Sequence, residues 1–537
     1  MAFRGWTCVG FMAALYGCGG SSPSTPTPPV PVASVTDMFP VDLHGSRYHP
    51  MHRAAFGPVY GSGCPTNGAC GCGRAGDLAD EFNCQLDRLA EADIPITAYL
   101  FDGSAWSRAA SDASNACTGP DCCTWRLGDQ VIERLSREGV RGLVHFWGGC
   151  HDEVQYRRAT DRLGGNLLGF YLDDGSSDAD LGEIAQFMES AAPGDWEVVA
   201  KAFQNREPAT TPEGLARWAN AAYVGDLPVG FDGLKQAVAR LLAVAPHVPA
   251  PLAELTGYDY LVPVMPSEEV YYRRLHFGAL QPVMAHTPYA NADPWRREYR
   301  PGLARAYRYW AWLHKQLVPY FYSLAYRMHE DPSQPVVTPG PMQDSLLIGD
   351  AIYAPIVTAS MSTMDIELPP GHWVDYWDET RVVSGRLEGH SVPLGREPIF
   401  IRLGAIIPMR VERDYTGHGT AESEDSLTLV VYPDETAPSF FRYRQDAGSP
   451  WITFTATVSN QRLSLTADPA LPRQPVLHRI ENWGGPPESV GVVGASLIVN
   501  QGGDMEDADS ETAANGTDSS SWFYDAAAQR LIVKVVP

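Results

Sequence analysis

The chain has 537 residues, of which 44% are hydrophobic and 10% aromatic, enough to fill sizeable cores. This length predicts about three or four domains. Its 40 basic and 64 acidic residues give a net charge of -24, which argues against nucleic acid or an anionic membrane surface as a partner. The charge suits a neutral or cationic ligand without selecting one.

The first residues have the pattern of a secretion signal. Arg4 supplies a positive charge, and the largely apolar run Val9–Leu15 is too short to span a membrane. The segment that ends at Cys18 then resembles a bacterial lipobox with Cys18 as the lipidated residue, although an ordinary cleaved signal is an alternative. We therefore expect a lipoprotein signal peptide over residues 1–18 and a Ser/Thr/Pro-rich tether over residues 19–35. The protein would be an exported bacterial lipoprotein, at the cell surface or in the periplasm, with a lipid anchor at Cys18 as its only membrane contact.

Eight of the ten cysteines follow this signal, and all of them precede residue 151. An even number in an exported chain favours disulfides over free thiols. The close spacings of Cys70 with Cys72 and of Cys122 with Cys123 do not suit zinc ligands. We interpret the eight as cross-links of two long loops, with the pairing left open. They are Cys64, Cys70, Cys72, Cys84, Cys117, Cys122, Cys123 and Cys150.

Strand-like and helix-like segments alternate between about residue 40 and residue 335. Short apolar runs predict strands at Ala55–Tyr60, Ile94–Phe101, Gly142–Trp147, Leu167–Leu172, Val198–Phe203, Ala221–Val224, Tyr260–Met265 and Pro282–Ala285. Apolar residues at helical spacing predict helices at Leu78–Ala92, Asp129–Glu138, Leu181–Ala191, Phe231–Ala245 and Ser267–Gly278. About eight such units in roughly 300 residues predict an α/β fold, a (β/α)8 TIM barrel over residues 36–335.

Two of the predicted strands end abruptly on a carboxylate, the first at Asp173 and the second at Asp226. The carboxyl ends of barrel strands share one mouth, so both side chains are expected there. Two carboxylates in one mouth are the requirement for cleaving a glycosidic bond, whereas each Asp alone equally suits a strand end or a helix cap. Because successive strand residues face opposite sides, we favour Asp173, in phase with Tyr171, over Asp174.

Beyond residue 335, short β-type segments rich in Pro and Gly replace the helical pattern. They predict a proximal C-terminal β-sandwich over residues 336–412 and a distal C-terminal β domain over residues 413–537. The acidic stretch of residues 502–521 lacks the ligand spacing of a calcium loop, so we expect a solvated loop there.

Five segments occur in a fixed order from the end of the predicted barrel onward. They are Leu317–Tyr322, Gln334–Val337, Leu347–Ile356, Leu368–Asp375 and Ile401–Pro408. In this order they resemble glycoside hydrolase family 31, the α-glucosidase and α-xylosidase family. The resemblance covers about residues 50 to 410 and implies a TIM barrel followed by two C-terminal β-sandwich domains. We expect the family's usual N-terminal β-sandwich to be lacking, because the barrel pattern follows the tether directly.

The resemblance also implies roles for individual residues. Asp173 matches the nucleophile and Asp226 the acid/base, although Ser176 stands where the family has a Glu. Matches to substrate-binding residues are Asp102, Arg217, Asp259 and His286, and Trp106 and Trp295 are candidates for stacking on sugar faces. Alternatively, Arg217 is a surface arginine and His286 a core histidine, and aromatic residues most often fill cores. The family needs no metal or cofactor.

These observations predict a retaining, exo-acting α-glycosidase that hydrolyses terminal α-linked sugars by double displacement with Asp173 and Asp226. Retention requires the two carboxyl groups to lie about 5 to 5.5 Å apart. The partner would be an oligosaccharide or glycoside substrate. A non-catalytic carbohydrate-binding barrel is the competing class, and an α-transglycosylase would use the same two residues. The presence of both Asp173 and Asp226 favours an enzyme.

We expect most of the eight cysteines after the signal to be paired in the mature protein, since each bridge restricts the unfolded chain and contributes about 2–4 kcal/mol. Titration of free thiols in denaturant, before and after reduction, measures this. A count near eight in the unreduced protein would contradict the prediction.

Overall fold

The computed structural model describes residues 52–61, 78–101, 128–146, 153–172, 177–191, 197–204, 207–256, 266–287, 293–295, 299–424, 426–471, 475–493, 496–500 and 505–536. The predicted signal peptide, the predicted tether and seven of the eight cysteines lie outside these ranges. Within these ranges, no helix has the length and apolarity needed to cross a membrane.

A ring of parallel strands forms the first part of the fold. Its strands and the small hairpin β6–β7 are β1 (Val59–Gly61), β2 (Ala98–Phe101), β3 (Arg141–Phe146), β4 (Leu167–Leu172), β5 (Glu197–Lys201), β6 (Phe203–Gln204), β7 (Glu207–Pro208), β8 (Ala221–Tyr223), β9 (Ala250–Leu252) and β10 (Ala285–His286). The order in the sheet is β10-β1-β2-β3-β4-β5-β8-β9. A parallel bridge between Glu254 and Ala285 joins the two edge strands. This ring confirms the predicted barrel.

Strand β9 is the barrel strand that the sequence did not predict. Pro249 and Pro251 interrupt this apolar run, and proline inside a run argues against a strand because it removes a backbone donor. Pro251 nevertheless lies opposite Ala222 in the ladder with β8. The strand predicted at Tyr260–Met265 lies outside the described residues.

Helices alternate with these strands. They are α1 (Leu78–Glu91), α2 (Asp129–Glu138), α3 (Glu153–Leu163), α4 (Asp178–Ala191), α5 (Pro212–Trp218), α6 (Phe231–Val244), α7 (Glu268–Ala279) and α8 (Pro301–Glu330). Local sequence explains several ends. The hydroxyl of Thr211 accepts a hydrogen bond from the Gly214 N–H at 3.0 Å and caps α5, which begins with a proline. Helix α2 ends at Gly139, whose φ of 66° suits glycine.

Side-chain contacts separate the two faces of the ring. Tyr99 on β2 packs against Phe82 of α1, with ring centroids 4.8 Å apart, and Phe170 on β4 packs against Tyr156 of α3 at 5.5 Å. These residues therefore face the helices. Tyr171, the next residue on β4, must face the opposite way, into the barrel.

The long helix α8 leads from the barrel into the β domains. It contains Pro319, which lacks a backbone donor. One turn later the hydroxyl of Ser323 donates to the Pro319 carbonyl at 2.7 Å. The hydroxyl of Tyr320 donates to the Ile348 carbonyl at 2.9 Å, which ties the helix to the first sandwich. Helix α8 is therefore held to the first sandwich by a side-chain hydrogen bond.

The β domains consist of antiparallel and mixed sheets. The proximal strands are β11 (Val337–Pro339), β12 (Ser345–Ile348), β13 (Ile352–Pro355), β14 (Thr363–Glu367), β15 (Trp373–Asp375), β16 (Asp378–Val383), β17 (Arg386–Ser391) and β18 (Phe400–Arg402). The sheet order β11-β12-β13-β18-β15-β16 faces the pair β14-β17, with Tyr353, Ile366 and Trp373 between them. This arrangement confirms a sandwich after the barrel.

The distal domain has a six-stranded sheet, β19-β20-β24-β29-β28-β27, and a five-stranded sheet, β21-β22-β23-β26-β25. The elements are β19 (Ile406–Met409), β20 (Leu427–Val431), β21 (Ser439–Tyr443), β22 (Ile452–Ser459), β23 (Arg462–Asp468), β24 (Val476–Ile480), β25 (Val490–Val493), β26 (Ser496–Val499), β27 (Glu506–Asp507), α9 (Glu511–Gly516), β28 (Ser521–Asp525) and β29 (Arg530–Val535). Strand β19 pairs with β20, so the chain enters the distal sheet before residue 412, where we placed the boundary. The acidic stretch includes β27 and α9.

A buried arginine joins the barrel to the proximal sandwich. Arg273 on α7 is 1% exposed and donates to the carbonyls of Met361 and Val392 at 3.0 and 2.8 Å. It also pairs with the buried Glu397 at 3.3 Å. Burial raises the pKa of Glu397 from 4.5 to about 7, against the opposing effect of the Arg273 guanidinium. One guanidinium thus satisfies three acceptors of the neighbouring domain.

Arg273→Met should lower the free energy of unfolding by about 3–5 kcal/mol, because it leaves a buried carboxylate without its cation. The loss should be larger at pH 8 than at pH 6. Burial raises the pKa of Glu397 and Arg273 lowers it, so removing Arg273 raises this pKa further. A carboxyl with a raised folded-state pKa loses its contribution to stability as pH rises through that pKa, and the loss is greater in the variant because the ionised carboxylate no longer has its cation. Denaturant unfolding at both pH values measures the effect.

Arg386→Met is the matched control, since the pair of Arg386 with Asp365 is exposed and such pairs contribute about 0–1 kcal/mol. Equal losses in the two variants would contradict the role assigned to Arg273.

Candidate functional site

Asp226 lies just beyond the carboxyl end of strand β8. Gly225 precedes it with a φ of 82°, a conformation that favours glycine and turns the chain at the strand end. The buried Arg274 of α7 donates to the Pro228 carbonyl at 2.7 Å, and Arg240 of α6 donates to the Val224 carbonyl at 3.1 Å. The loop that carries Asp226 is therefore anchored on both sides of the carboxylate.

Two donors hold the Asp226 carboxylate. The Lys201 ammonium at the end of β5 donates to Oδ2 at 3.0 Å, and the Tyr223 hydroxyl donates to Oδ1 at 3.0 Å. The β5–β8 register places Lys201 opposite Tyr223, which explains why both reach the same carboxylate. The Lys201 side chain is 2% exposed and that of Asp226 is 41% exposed. The pair thus joins a buried cation to a carboxylate that remains open to solvent.

Aromatic rings continue this cluster along the barrel interior. The ring of Tyr171 on β4 lies 5.6 Å from that of Tyr223 on β8 and 4.8 Å from that of His145 on β3. Since β4 and β8 are not neighbours in the sheet, their rings meet only on its concave side. His145, Tyr171, Tyr223 and Lys201 therefore line one wall at the carboxyl ends of the strands.

Half of the predicted site residues lie outside the described ranges, namely Asp102, Trp106, Asp173 and Asp259. Asp102 and Asp173 each directly follow a described strand. Phe101, which precedes Asp102, ends β2 on the helix-facing side, since its ring lies 5.8 Å from that of Phe82 on α1. Tyr171, which precedes Asp173 by two positions, lies on the inner face of β4. Their assignment to the barrel mouth stays a prediction.

His286 ends strand β10 but does not join the Asp226 cluster. Its Nε2 lies 2.8 Å from the Tyr271 hydroxyl on α7, and its ring lies 5.1 Å from that of Tyr307 on α8. The side chain therefore packs on the helix side of its strand, with no exposed surface. Burial lowers the pKa of His286 to about 3, so the ring is neutral. The position corresponds to the core-histidine alternative.

Arg217 also lies apart from Asp226. It is exposed near the end of α5, and its guanidinium sits 4.5 Å from the centroid of the Trp218 ring. Helix α5 leads into the amino end of β8, whereas Asp226 follows the carboxyl end. The two side chains are therefore associated with opposite ends of one strand.

Trp295 stacks on Tyr60 of β1, with ring centroids 6.1 Å apart and planes inclined by 23°. The Tyr60 hydroxyl donates to Asp293 Oδ1 at 2.6 Å, so the same tyrosine holds both described ends of this short segment. Trp295 is half-buried, and Tyr60 covers one of its faces.

Sequence reasoning missed Lys201 and Tyr223 as site residues. A lysine at the end of the apolar run Val198–Ala200 was the available signal, because an ammonium inside a barrel strand needs a partner.

One group of side chains among the described residues has the spacing of metal ligands, namely Glu379, His418 and Glu481 in the β domains. Both carboxylates already accept hydrogen bonds from Arg530, and Glu481 accepts another from Arg479. Two arginine cations oppose the entry of a metal ion, so this group is an ion-pair network between the two sandwiches.

Comparison with known proteins gives consistent results. Residues 318–407 match the sequence profile of the glycosyl hydrolase family 31 C-terminal domain. The isomaltosyltransferase of Sporosarcina globispora is 25% identical over 340 residues, which is 58% of this chain and 30% of that protein. The alpha-xylosidase of Saccharolobus solfataricus is 26% identical over 195 residues, 34% of this chain and 25% of the relative.

Solved structures share the fold. The cycloalternan-forming enzyme of Listeria monocytogenes, in complex with a pentasaccharide substrate, superimposes with a TM-score of 0.73 and 16% identity over 94% of this chain and 55% of that one. A family 31 dextranase of Flavobacterium johnsoniae superimposes with a TM-score of 0.67 and 16% identity. The match covers 91% of this chain and 70% of that one. The chain spans less than a third of the length of the isomaltosyltransferase and of the alpha-xylosidase.

Proposed function

Because the chain belongs to glycoside hydrolase family 31, we propose that it cleaves α-glycosidic bonds with retention of configuration, using Asp173 as nucleophile and Asp226 as acid/base. The observation that carries the proposal is the Asp226 carboxylate, held by Lys201 and Tyr223 at the carboxyl end of strand β8. Barrel enzymes place their chemistry at this end of the strands.

The proposed reaction has two displacements. In the first, an Asp173 oxygen bonds to the anomeric carbon, the glycosidic bond breaks, and the Asp226 proton passes to the leaving oxygen. In the second, Asp226 accepts a proton from water, the water oxygen bonds to the anomeric carbon, and the bond to Asp173 breaks. Lys201 faces the Asp226 oxygen on which negative charge develops, and Tyr223 fixes the second oxygen.

An α-glucosyl or isomaltosyl group is the proposed sugar. Two relatives are named for transfer of such groups, the isomaltosyltransferase and a 1,6-alpha-glucosyltransferase that is 30% identical over 200 residues. Transfer to a sugar acceptor in place of water uses the same two carboxylates and differs only in the second displacement. Of the two reactions, we propose exo-acting hydrolysis of a terminal sugar first and transfer to a sugar acceptor second.

The proposal does not use Arg217 or His286 to bind substrate. Arg217 lies near the amino end of β8, and His286 has no exposed surface with which to touch a ligand. Asp102 and Asp259 keep the substrate-binding roles that the family resemblance implies, and Trp106 and Trp295 stay candidates for stacking on sugar faces.

Export with a lipid anchor at Cys18 is part of the proposal. It rests on the pattern of the first 18 residues and on the cysteines that follow. Cys84, on α1, takes part in a disulfide bond, which supports an oxidising compartment outside the cytoplasm.

Asp226→Ala should lower kcat on isomaltotriose by about 100- to 10,000-fold, the usual contribution of general acid–base catalysis, and Asp173→Ala should abolish turnover. Azide should partly restore turnover in Asp226→Ala by replacing water as a nucleophile that needs no base. Chromatography of the products measures both, with nitrophenyl α-glucoside, α-xyloside, α-galactoside and α-sulfoquinovoside as parallel substrates.

Asp232→Ala is the matched control, because Asp232 is an exposed carboxylate on α6. A protein that turns over none of these substrates but binds isomaltotriose would be the carbohydrate-binding alternative. Oligosaccharides longer than the substrate would identify transfer.

Lys201→Met should lower kcat by about 100-fold, the effect of removing one preorganised donor, with a smaller change in KM. Lys201→Arg, which keeps the charge, should retain more activity. Lys235→Met, at an exposed position on α6, is the control. Full activity of folded Lys201→Met would contradict the role given to the buried ammonium.

A further inference from the structure

The junction of the two sandwiches contains a cleft of about 310 Å³, lined by residues such as Asp350, Arg402, Asp434 and Phe440. It forms where the chain leaves β18 in the proximal sheet and enters β19 in the distal sheet. Gly404 makes this crossing with a φ of 92°, and a Cβ there would lie 3.2 Å from the Ser439 hydroxyl. The cleft therefore lies where the chain passes from one sandwich to the other, and the backbone at Gly404 forms part of its wall.

Phe440 is the exposed aromatic at this cleft. Strand β21 alternates buried and exposed residues, so Phe441 faces the core while Phe440 faces outward with 65% of its surface exposed. It is the most exposed large hydrophobic residue of the described chain. An outward strand position is ordinarily polar, and an aromatic there leaves apolar surface in water unless a ligand covers it.

Charged side chains of both signs line the same cleft as this ring. Arg402 and Asp350 are exposed and have no ion-pair partner within the part of the chain that the structure describes. Asp434 uses Oδ1 to hold the backbone and hydroxyl of Thr436 at 2.8 and 2.6 Å. Hydroxyl groups can both donate to carboxylates and accept from guanidinium, so this set matches a polyhydroxyl ligand better than an ion of either charge.

A second cleft of about 450 Å³ shares Leu403 and Asp434 with the first. Its lining adds the side chains of Glu435, Gln461 and Asn482. Asn500 fixes one wall, since its amide donates to the Gln461 carbonyl at 3.0 Å and its oxygen accepts from the Glu488 N–H at 2.7 Å. Each cleft has the volume typical of a small-ligand site, and side by side they form an extended groove.

We propose that this groove, which we name the junction groove, binds a neutral oligosaccharide chain at a site separate from the barrel mouth. The Phe440 ring packs against the apolar face of a sugar ring, and Arg402, Asp350 and the groove amides hold its hydroxyls. The choice of an α-linked glucan rests on the proposed function. The groove retains a polymeric substrate while its end is processed in the barrel.

Affinity electrophoresis of the full chain through gels containing dextran tests the proposal. Asp226→Asn serves as the background, so that the polymer is not consumed. Phe440→Ala and Arg402→Ala should each raise the Kd for dextran about 3- to 10-fold. Val492→Ala is the control, because Val492 is an exposed apolar residue, 41% exposed, outside both clefts.

Unchanged retardation in Phe440→Ala and Arg402→Ala, or no retardation of the parent protein, would overturn the proposal. So would a concentration-dependent dimer that Phe440→Ala abolishes in size-exclusion chromatography, since the ring would then cover a second copy. Turnover of nitrophenyl α-glucoside by the wild-type protein tests the proposed function separately, because this small substrate requires no groove outside the barrel.

Discussion

In a closed parallel sheet, each strand residue must point either into the barrel or out toward the helices, and strand pairing carries this choice around the ring. The Glu254–Ala285 bridge joins the last two strands, so all registers must agree. A slip of one residue in β5 would turn Lys201 toward the helices and away from Asp226. The position of the candidate site therefore depends on pairing between strands far apart in sequence.

The buried ammonium of Lys201 is the next constraint. Removing a charge from water costs several kcal/mol, which pairing with a carboxylate and further hydrogen bonds must offset. Asp226 supplies the carboxylate and stays partly in water, so the pair has one buried end and one open end. This asymmetry suits a catalytic carboxyl, since the buried cation fixes the orientation while the open side faces a ligand.

The β domains are fixed to the barrel by polar contacts as well as by packing. Arg273 places three of its hydrogen bonds on the proximal sandwich, and Tyr320 of α8 reaches the same domain. Glu379 and Arg530 then connect the proximal sandwich to the distal one. Contacts of this kind hold the two sandwiches together, so the groove between them keeps its shape.

Several features could be predicted from the sequence because they depend on neighbouring residues. The apolar periodicity of α2 and the glycine that follows it give its bounds as observed, and the run into Asp226 marks the end of β8. The ordered segments from Leu317 to Pro408 predicted a barrel followed by β-sandwiches. Local patterns of this kind determine element type, and a long ordered set of them determines the fold.

Tertiary structure decided what depends on pairing between distant segments. Strand β9 forms despite Pro251, because β8 and β10 border the same gap in the ring. The sequence predicted that His286 and Asp226 lie at one mouth of the barrel. In the structure, the register of β10 turns the histidine toward α7 and α8. The partner of Lys201 also follows from the β5–β8 register. The sequence by itself determined where strands end and which residues carry charge. The side toward which each strand residue faces is decided only when the ring closes. Alternation along a strand separates its residues into two sets, and only pairing with the neighbouring strands decides which set faces the barrel interior.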